Sequence, residues 1–134
     1  MKKTILVVED NETNLYLIRF ILKKNEYEVI EARDGAEGVE LAVKKKPDLI
    51  IMDIQLPGID GLEATKKIRE SEADGEIPIV ALTSYAMLGD REKALAAGCT
   101  GYIEKPINPE TFINEIRILM ILEWQIYGFL LRNL

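Results

Sequence analysis

The sequence places acidic, hydroxyl and ammonium side chains at the ends of short apolar runs. These candidate functional residues are Glu9, Asp10, Asp53, Thr83 and Lys105. A short, wholly apolar run between turn residues predicts a strand that is buried on both faces, as in a parallel sheet. Open α/β sheets bind their ligands in the crevice at the carboxyl ends of such strands. We therefore expect these side chains to converge on one edge of a sheet.

The carboxylates of this set predict a cation site. Two carboxylates about 4 Å apart repel each other by about 4 kcal/mol at an effective dielectric constant near 20. Hard oxygen ligands suit Mg²⁺, which commonly shares its coordination with phosphate. Lys105 adds a positive charge, and the Thr83 hydroxyl can donate a hydrogen bond to an oxyanion. The set therefore predicts a phosphoryl site in which an aspartate carboxylate is a competent nucleophile, and Asp53 is the first candidate.

The elements that must position these side chains follow from the apolar pattern. The run 49–52 lies between Pro47 and the Pro57-Gly58 pair, which leaves too little length for a helix. Strands are predicted at residues 4–8, 28–32, 49–52, 79–82 and 102–103. Helical spacing is found at residues 15–25, 35–46, 61–70, 88–97 and 109–119. This alternation predicts a doubly wound α/β domain, a parallel sheet with helices on both faces.

Polar residues mark where some of these helices begin. Asn11, Thr13 and Asn14 are candidate N-caps of the first helix. Asn108 is expected to cap the last helix, with Pro109 at the first helical position.

Composition limits the class of protein. A chain of 134 residues with a formal charge of −6 predicts one acidic domain and gives no general basic surface for nucleic acid. The single cysteine, Cys99, cannot form an internal disulfide, and the apolar run near the start is too short for a signal peptide. A cytoplasmic location is therefore expected. Because the sequence has no histidine, the chain cannot itself carry a phosphohistidine donor.

Four motifs, in order, carry a resemblance to a known family. They are VVEDN, IIMDIQLPGIDG, ALTS and GYIEKP. From residue 3 to about residue 121 the chain resembles the receiver domain of two-component response regulators, and it is most similar to receivers that stand alone and act through protein partners. The resemblance implies a flavodoxin-like (βα)5 fold with the strand order 2-1-3-4-5. It also implies a cis peptide bond between Lys105 and Pro106.

By this resemblance, Asp53 accepts a phosphoryl group from a phosphohistidine on a histidine kinase or a histidine phosphotransfer protein. The resemblance further implies that Mg²⁺ is held by Glu9, Asp10, Asp53 and the backbone carbonyl of Gln55. Such a chain is a phosphoacceptor in a phosphorelay and not an enzyme in the usual sense.

The resemblance also assigns a conformational switch. Thr83 would move to bond the phosphoryl oxygen, Lys105 would pair with the phosphoryl group, and Tyr102 would turn into the space that Thr83 vacates. The resulting shift of population would change contacts with a downstream protein target through the face built from helix four, strand five and helix five.

The end of the chain departs from the family pattern. We expect a receiver domain over residues 1–122 and an apolar extension of the last helix over residues 123–134. Between Ile118 and Leu131 the only charged residue is Glu123, but this run is shorter than the roughly 20 residues of a membrane span. No membrane span is therefore expected. An exposed apolar extension invites association, so self-association into a homo-oligomer through this helix is one hypothesis, and packing on a partner or on its own domain are others.

Other functions fit parts of the pattern. A scaffold module that is never phosphorylated would have no need of the acidic set, Thr83 and Lys105. A Mg²⁺-dependent phosphohydrolase could use Asp53 as its nucleophile, but a second acid to activate water is not evident. A flavin site would suit the fold, but no glycine-rich loop follows the first strand to hold a phosphate.

Overall fold

The computed structural model describes residues 2–71, 77–84 and 89–120. Its strands are β1 (Thr4–Val8), β2 (Glu28–Ala32), β3 (Leu49–Asp53), β4 (Ile79–Thr83) and β5 (Gly101–Glu104). Its helices are α1 (Glu12–Lys24), α2 (Gly35–Lys45), α3 (Gly61–Ser71) and α4 (Asp90–Ala97), and residues 112–120 form a further helix, α5.

The strands form one parallel sheet in the order β2-β1-β3-β4-β5. This order confirms the predicted doubly wound, flavodoxin-like fold. The central strand β3 is buried along its whole length. Burial on both faces explains why its sequence is a continuous apolar run and does not alternate with polar residues.

The two faces of the sheet hold separate hydrophobic clusters. Ile5 and Val7 of β1 belong to the cluster that includes the buried residues of α1 and α5. Leu6 and Val8 belong to the cluster that includes buried residues of α2, α3 and α4. Successive residues of a strand point to opposite faces, so each apolar strand anchors helices on both sides. The carboxyl end of each strand is thereby fixed against its neighbours.

Two asparagines, Asn11 and Asn108, lie at the starts of the first and last helices. The Asn11 side chain accepts a hydrogen bond from the Asn14 N–H at 2.9 Å, so Asn11, one of the three predicted candidates, is the N-cap of α1. At the other end of the chain, Asn108 Oδ1 accepts from the Glu110 N–H at 2.9 Å. The Asn108 carbonyl also accepts from the Phe112 N–H at 2.9 Å, so Asn108 makes both contacts of a helix N-cap. A turn over residues 109–111 leads from this cap into α5.

Part of the sequence interpretation falls on residues that are not described. These are the apolar extension over residues 123–134, the self-association through it, and the predicted start of α4 at residue 88. Among residues 2–71, 77–84 and 89–120, no helix has the length and apolarity needed to span a membrane.

Candidate functional site

The carboxyl ends of β1, β3, β4 and β5 bring the predicted residues to one edge of the sheet. Glu9 directly follows β1, and its N–H donates to the Ala32 carbonyl of β2 at 3.0 Å. Asp53 is the last residue of β3, and Thr83 is the last residue of β4. The Lys105 N–H donates to the Thr83 carbonyl at 2.7 Å, which aligns the end of β5 with the end of β4. Parallel pairing therefore produces the convergence that the sequence predicted.

Three carboxyl groups form the centre of the site. Oxygens of Glu9, Asp10 and Asp53 lie within 4.8 Å of one another. Glu9 and Asp53 are buried, with 0% and 2% of their surface exposed, whereas Asp10 is exposed. The Asp10 N–H donates to Glu9 Oε2 at 3.1 Å. Carboxylates so close together and so poorly solvated repel strongly unless a cation joins them.

Lys105 is one such cation. Its Nζ lies 3.0 Å from Glu9 Oε1 and 3.0 Å from Asp53 Oδ2. Burial lowers the pKa of Lys105, but attraction to the Asp53 and Glu9 carboxylates outweighs burial, so that its pKa is raised. The residue stays charged and holds the two buried carboxylates. The peptide bond that follows, Lys105–Pro106, is cis, as the resemblance implied.

The single positive charge of Lys105 does not balance the negative charge that three carboxyl groups can carry. Burial, a hydrogen bond with Asp53 and the charge of Asp53 raise the pKa of Glu9 to about 7, although Lys105 acts in the opposite direction. The Lys105 contact with Glu9 Oε1 is a close charge contact without hydrogen-bond geometry. Within the described part of the chain, Glu9 Oε1 is a buried side-chain oxygen without a hydrogen-bond partner. An unsatisfied hard oxygen beside two more carboxylates fits a divalent cation such as Mg²⁺.

The raised pKa of Glu9 predicts a pH effect on the metal-free protein. Glu9 binds its proton more tightly in the folded chain, where its pKa is about 7, than at its ordinary value of 4.5. Its contribution to stability is therefore fully present below pH 4.5 and is lost as the pH rises through 7. In EDTA, we expect the free energy of unfolding to fall by about 2 kcal/mol between pH 5.5 and pH 8, measured by urea titration.

The matched control for this pH effect is Glu9→Gln. Because glutamine does not titrate, the variant should lack this part of the fall while retaining the contributions of all other groups. Identical pH profiles for the native chain and Glu9→Gln would contradict the raised pKa.

The loop after β3 fixes the position of Asp53 through a hydrogen bond to its carboxylate and close packing against its carbonyl. The Gln55 N–H donates to Asp53 Oδ1 at 3.2 Å, and the Gly61 N–H donates to the Ile54 carbonyl at 2.9 Å. A Cβ atom at residue 61 would lie 2.1 Å from the Asp53 carbonyl oxygen, so only glycine fits there. The sequence interpretation did not identify Gly61 as a residue that positions the site. Its only signal in the sequence was a glycine at a predicted helix start.

Thr83 and Tyr102 lie on the neighbouring strands β4 and β5. Thr83 is 5% exposed and Tyr102 is half-buried. The pKa of Tyr102 is raised by loss of solvent and by the charges of Glu104 and Asp90, with Thr83 and Arg91 acting in the opposite direction. The tyrosine therefore stays a neutral phenol in contact with the residue that borders the carboxyl cluster.

A parallel sheet with an acidic cluster and a lysine at its carboxyl edge defines a class of domain that is known from other proteins. Residues 5–117 match the response regulator receiver domain, and the chain belongs to this family. It is 45% identical over 117 residues to the polar-differentiation response regulator DivK of Brucella ovis, an alignment that covers 87% of this chain and 95% of that protein. The DivK protein of Brucella anthropi is 44% identical over the same length.

Solved structures give the same result. The chemotaxis response regulator CheY4 of Vibrio cholerae superposes with a TM-score of 0.84 at 30% identity, covering 89% of this chain and 99% of that one. The receiver domain of the sensor histidine kinase PA1611 from Pseudomonas aeruginosa PAO1 gives a TM-score of 0.82 at 37% identity, covering 90% and 98%. That structure has a magnesium ion coordinated in its active site cleft. The chain is therefore a response regulator receiver, and neither a hydrolase nor an inert scaffold is favoured.

Proposed function

We propose that Asp53 is the residue that accepts the phosphoryl group, and that the donor is a phosphohistidine on a histidine kinase or a histidine phosphotransfer protein. One observation carries the proposal: the buried Asp53 carboxylate, at the end of the central strand, contacts Lys105 at 3.0 Å beside the oxygens of Glu9 and Asp10. A nucleophile for phosphoryl transfer needs this combination of a fixed position and nearby positive charge.

The transfer is a displacement at phosphorus. An oxygen of the Asp53 carboxylate forms the new P–O bond, the P–N bond of the phosphohistidine breaks, and its electron pair returns to the imidazole nitrogen. The product is an acyl phosphate on this chain. The Gln55 N–H on Oδ1 and Lys105 on Oδ2 orient the carboxylate before the donor arrives. The deep position of Asp53 requires the donor imidazole to approach from the open edge of the sheet.

Glu9, Asp10 and Asp53, with the backbone carbonyl of Gln55, would hold Mg²⁺. When bound, Mg²⁺ neutralises negative charge on the carboxylates and on the phosphoryl oxygens during transfer. The buried Glu9 Oε1 without a hydrogen-bond partner supports this assignment. So does the magnesium ion in the active site cleft of the PA1611 receiver domain, which is 37% identical to this chain.

Lys105 and Thr83 would change their contacts when Asp53 is phosphorylated. Lys105 already contacts the Asp53 carboxylate, so it can pair with a phosphoryl group added there. If Thr83 turns toward that group, it vacates space into which the side chain of Tyr102 can move. Reversing a 1:99 equilibrium takes about 5.5 kcal/mol of differential interaction, which charge-assisted hydrogen bonds to phosphate can supply. The moved Tyr102 would change the surface seen by a downstream protein target, with residues 1–122 as the signalling unit.

The test is the mass and the position of the adduct. After incubation with Mg²⁺ and acetyl phosphate, the intact chain should gain the mass of one phosphoryl group, and EDTA should prevent the gain. Borohydride reduction should then convert the acyl phosphate to homoserine in the peptide that contains Asp53. An adduct on any other residue, or no adduct at a Mg²⁺ concentration that demonstrably binds, would refute the assignment.

A further inference from the structure

Two glycines lie in the first turns of α2, three residues apart. Gly35 and Gly38 are both buried, and neither has a positive φ. The backbone conformation therefore does not require glycine at either position, although glycine weakens a helix relative to alanine. Residues three apart in a helix lie on the same face. We call Gly35 and Gly38 the glycine face of α2.

The glycine face contacts the end of β1. A Cβ atom at residue 38 would lie 2.9 Å and 3.0 Å from the two Cγ atoms of Val8, the last residue of β1. Carbon atoms in contact are normally about 3.5–4.0 Å apart, so an added methyl group would push α2 and the strand end apart. Val8 directly precedes Glu9 and Asp10. The position of α2 is therefore tied to the strand end that carries two of the three carboxyl groups.

The same face contacts the loop after β3. A Cβ atom at residue 35 would lie 2.6 Å from Ile59 Cγ1 and 2.7 Å from the Ile59 carbonyl oxygen. Because the carbonyl oxygen belongs to the backbone, a change of the Ile59 side-chain conformation could not relieve this overlap. Only a residue without a Cβ atom allows the loop to lie so close to α2.

The loop connects Ile59 to the carboxyl cluster. The Gly61 N–H donates to the Ile54 carbonyl at 2.9 Å and closes the loop, and Gly61 packs against the Asp53 carbonyl oxygen. At the other end of the loop, the Gln55 N–H donates to Asp53 Oδ1 at 3.2 Å. Since the loop is closed by these contacts, a shift of Ile59 would also shift Gln55 and Asp53.

The start of α2 is itself held in place. Asp34 caps the helix and accepts the Glu37 N–H at 2.8 Å, and Glu37 Oε1 accepts the Arg33 N–H at 2.9 Å. These reciprocal bonds resemble a capping box and fix the first turn. The Ala32 carbonyl, at the end of β2, accepts the Glu9 N–H at 3.0 Å. The first turn of α2 is thus a fixed spacer between the end of β1 and the loop after β3.

We propose that Gly35 and Gly38 are positioning residues for the Mg²⁺ site. Their close contacts set the distance between the end of β1 and the loop after β3, and these two segments carry the ligands assigned under the proposed function, on which this inference rests. Mg²⁺ requires nearly ideal octahedral geometry with ligands at about 2.0–2.1 Å, so a small shift of either segment weakens binding. Residues that orient metal ligands typically contribute about 10- to 100-fold in affinity.

A purely structural role is the alternative. Alanine at either position would then lower the stability of the domain without a separate effect on Mg²⁺. Gly101, the first residue of β5, provides the matched control. A Cβ atom there would lie 2.6 Å from the Leu119 side chain, at the edge of the sheet opposite the carboxyl cluster. Gly101→Ala therefore introduces a similar overlap away from the ligands.

The test is a Mg²⁺ titration of the full chain without a phosphodonor, followed by backbone amide NMR shifts. Gly35→Ala and Gly38→Ala should each weaken Mg²⁺ binding by about tenfold or more. Gly101→Ala should bind Mg²⁺ within about twofold of the native chain, because a distant site acts independently. Urea titration in EDTA measures the stability of each variant, so that affinities are compared between folded proteins.

A second substitution in the same contact separates spacing from stability. Val8→Ala removes both Cγ atoms and leaves only the residue 8 Cβ atom, 3.5 Å from a Cβ atom at residue 38. Gly38→Ala with Val8→Ala should therefore bind Mg²⁺ within about threefold of the native chain, although the pair loses buried methyl groups. This comparison also decides the matter if Gly35→Ala does not fold.

Three results would overturn the proposal. They are unchanged Mg²⁺ affinity in Gly38→Ala, an equal loss of affinity in Gly101→Ala, and no recovery when Val8→Ala is added. Failure of the proposed function gives a different result, because the native chain would then bind no Mg²⁺ or form no adduct on Asp53. A native chain that does both, beside variants of unchanged affinity, would refute only the positioning role.

Discussion

Asp53→Asn is expected to abolish the phosphoryl adduct completely. Asparagine keeps the shape of the side chain, but its amide is not a nucleophile toward phosphorus and ligates Mg²⁺ more weakly. The measurement is the intact mass after incubation with Mg²⁺ and acetyl phosphate. We expect the native chain to gain one phosphoryl mass and the variant to gain none, even at long incubation times.

Asp60→Asn is the matched control, because it makes the same chemical change in the loop that follows β3. Asp60 is exposed, and its Oδ1 accepts the Glu63 N–H at 2.8 Å at the start of α3. Asparagine caps helices as well as aspartate does, so this variant should form the adduct normally. A comparable adduct on Asp53→Asn would place the acceptor elsewhere and refute the proposed site.

Loss of the adduct in Asp53→Asn should not reflect unfolding. The substitution removes one of three neighbouring carboxylates, and Lys105 Nζ keeps its contact with Glu9 Oε1 at 3.0 Å. Relief of repulsion offsets the lost contact with Lys105. In EDTA, we expect the free energy of unfolding to stay within about 1 kcal/mol of the native value.

Lys105→Met is expected to cause a large loss of stability in the absence of metal. Methionine has a similar volume but leaves Glu9 and Asp53 buried without their ammonium partner. Removing one partner from a buried charge group typically costs about 3 to 5 kcal/mol. Urea titration in EDTA at pH 8, which is above the Glu9 pKa of about 7, should show a loss of this size.

Mg²⁺ should restore part of that loss, since a cation ligated by the same carboxylates replaces the missing positive charge. Lys93→Met serves as the control. Lys93 is exposed on α4, and its removal should change the free energy of unfolding by less than about 0.5 kcal/mol in either condition. If Lys105→Met behaved like Lys93→Met, the short contacts of Lys105 would not be the source of the charge balance in the site.

These two predictions describe one electrostatic arrangement. Burial of Glu9 and Asp53 costs free energy, Lys105 offsets part of it, and the raised pKa of Glu9 shows that the compensation is incomplete. Because its buried negative charge is only partly compensated, the site is stabilised by a divalent cation. The strain of the metal-free site and its fitness for Mg²⁺ therefore have the same physical cause.

The amino-acid sequence by itself determined the strands, the fold class and the edge of the sheet at which the carboxyl groups and Lys105 lie. The apolar run that ends at Asp53 predicted β3, and the alternation of such runs with helical spacing predicted a parallel sheet. These conclusions need only local information. A run of consecutive apolar residues is enough to predict a buried strand, and all strands of a parallel sheet have their carboxyl ends at the same edge. The sequence left three candidates for the N-cap of the first helix, Asn11, Thr13 and Asn14, because each has a side-chain oxygen that can accept a backbone N–H, and the structure uses Asn11.

Only the tertiary structure decided the distances and the environments. It placed Lys105 3.0 Å from both Glu9 and Asp53, which are separated from it by many residues along the chain. It also brought Gly61 into close contact with the Asp53 carbonyl oxygen. Sequence spacing does not set such distances, because they depend on strand register and on how helices pack against the sheet. For the same reason the pKa of Glu9 could not be predicted from its neighbours in sequence: burial is its main cause, and burial is created by residues from the whole fold.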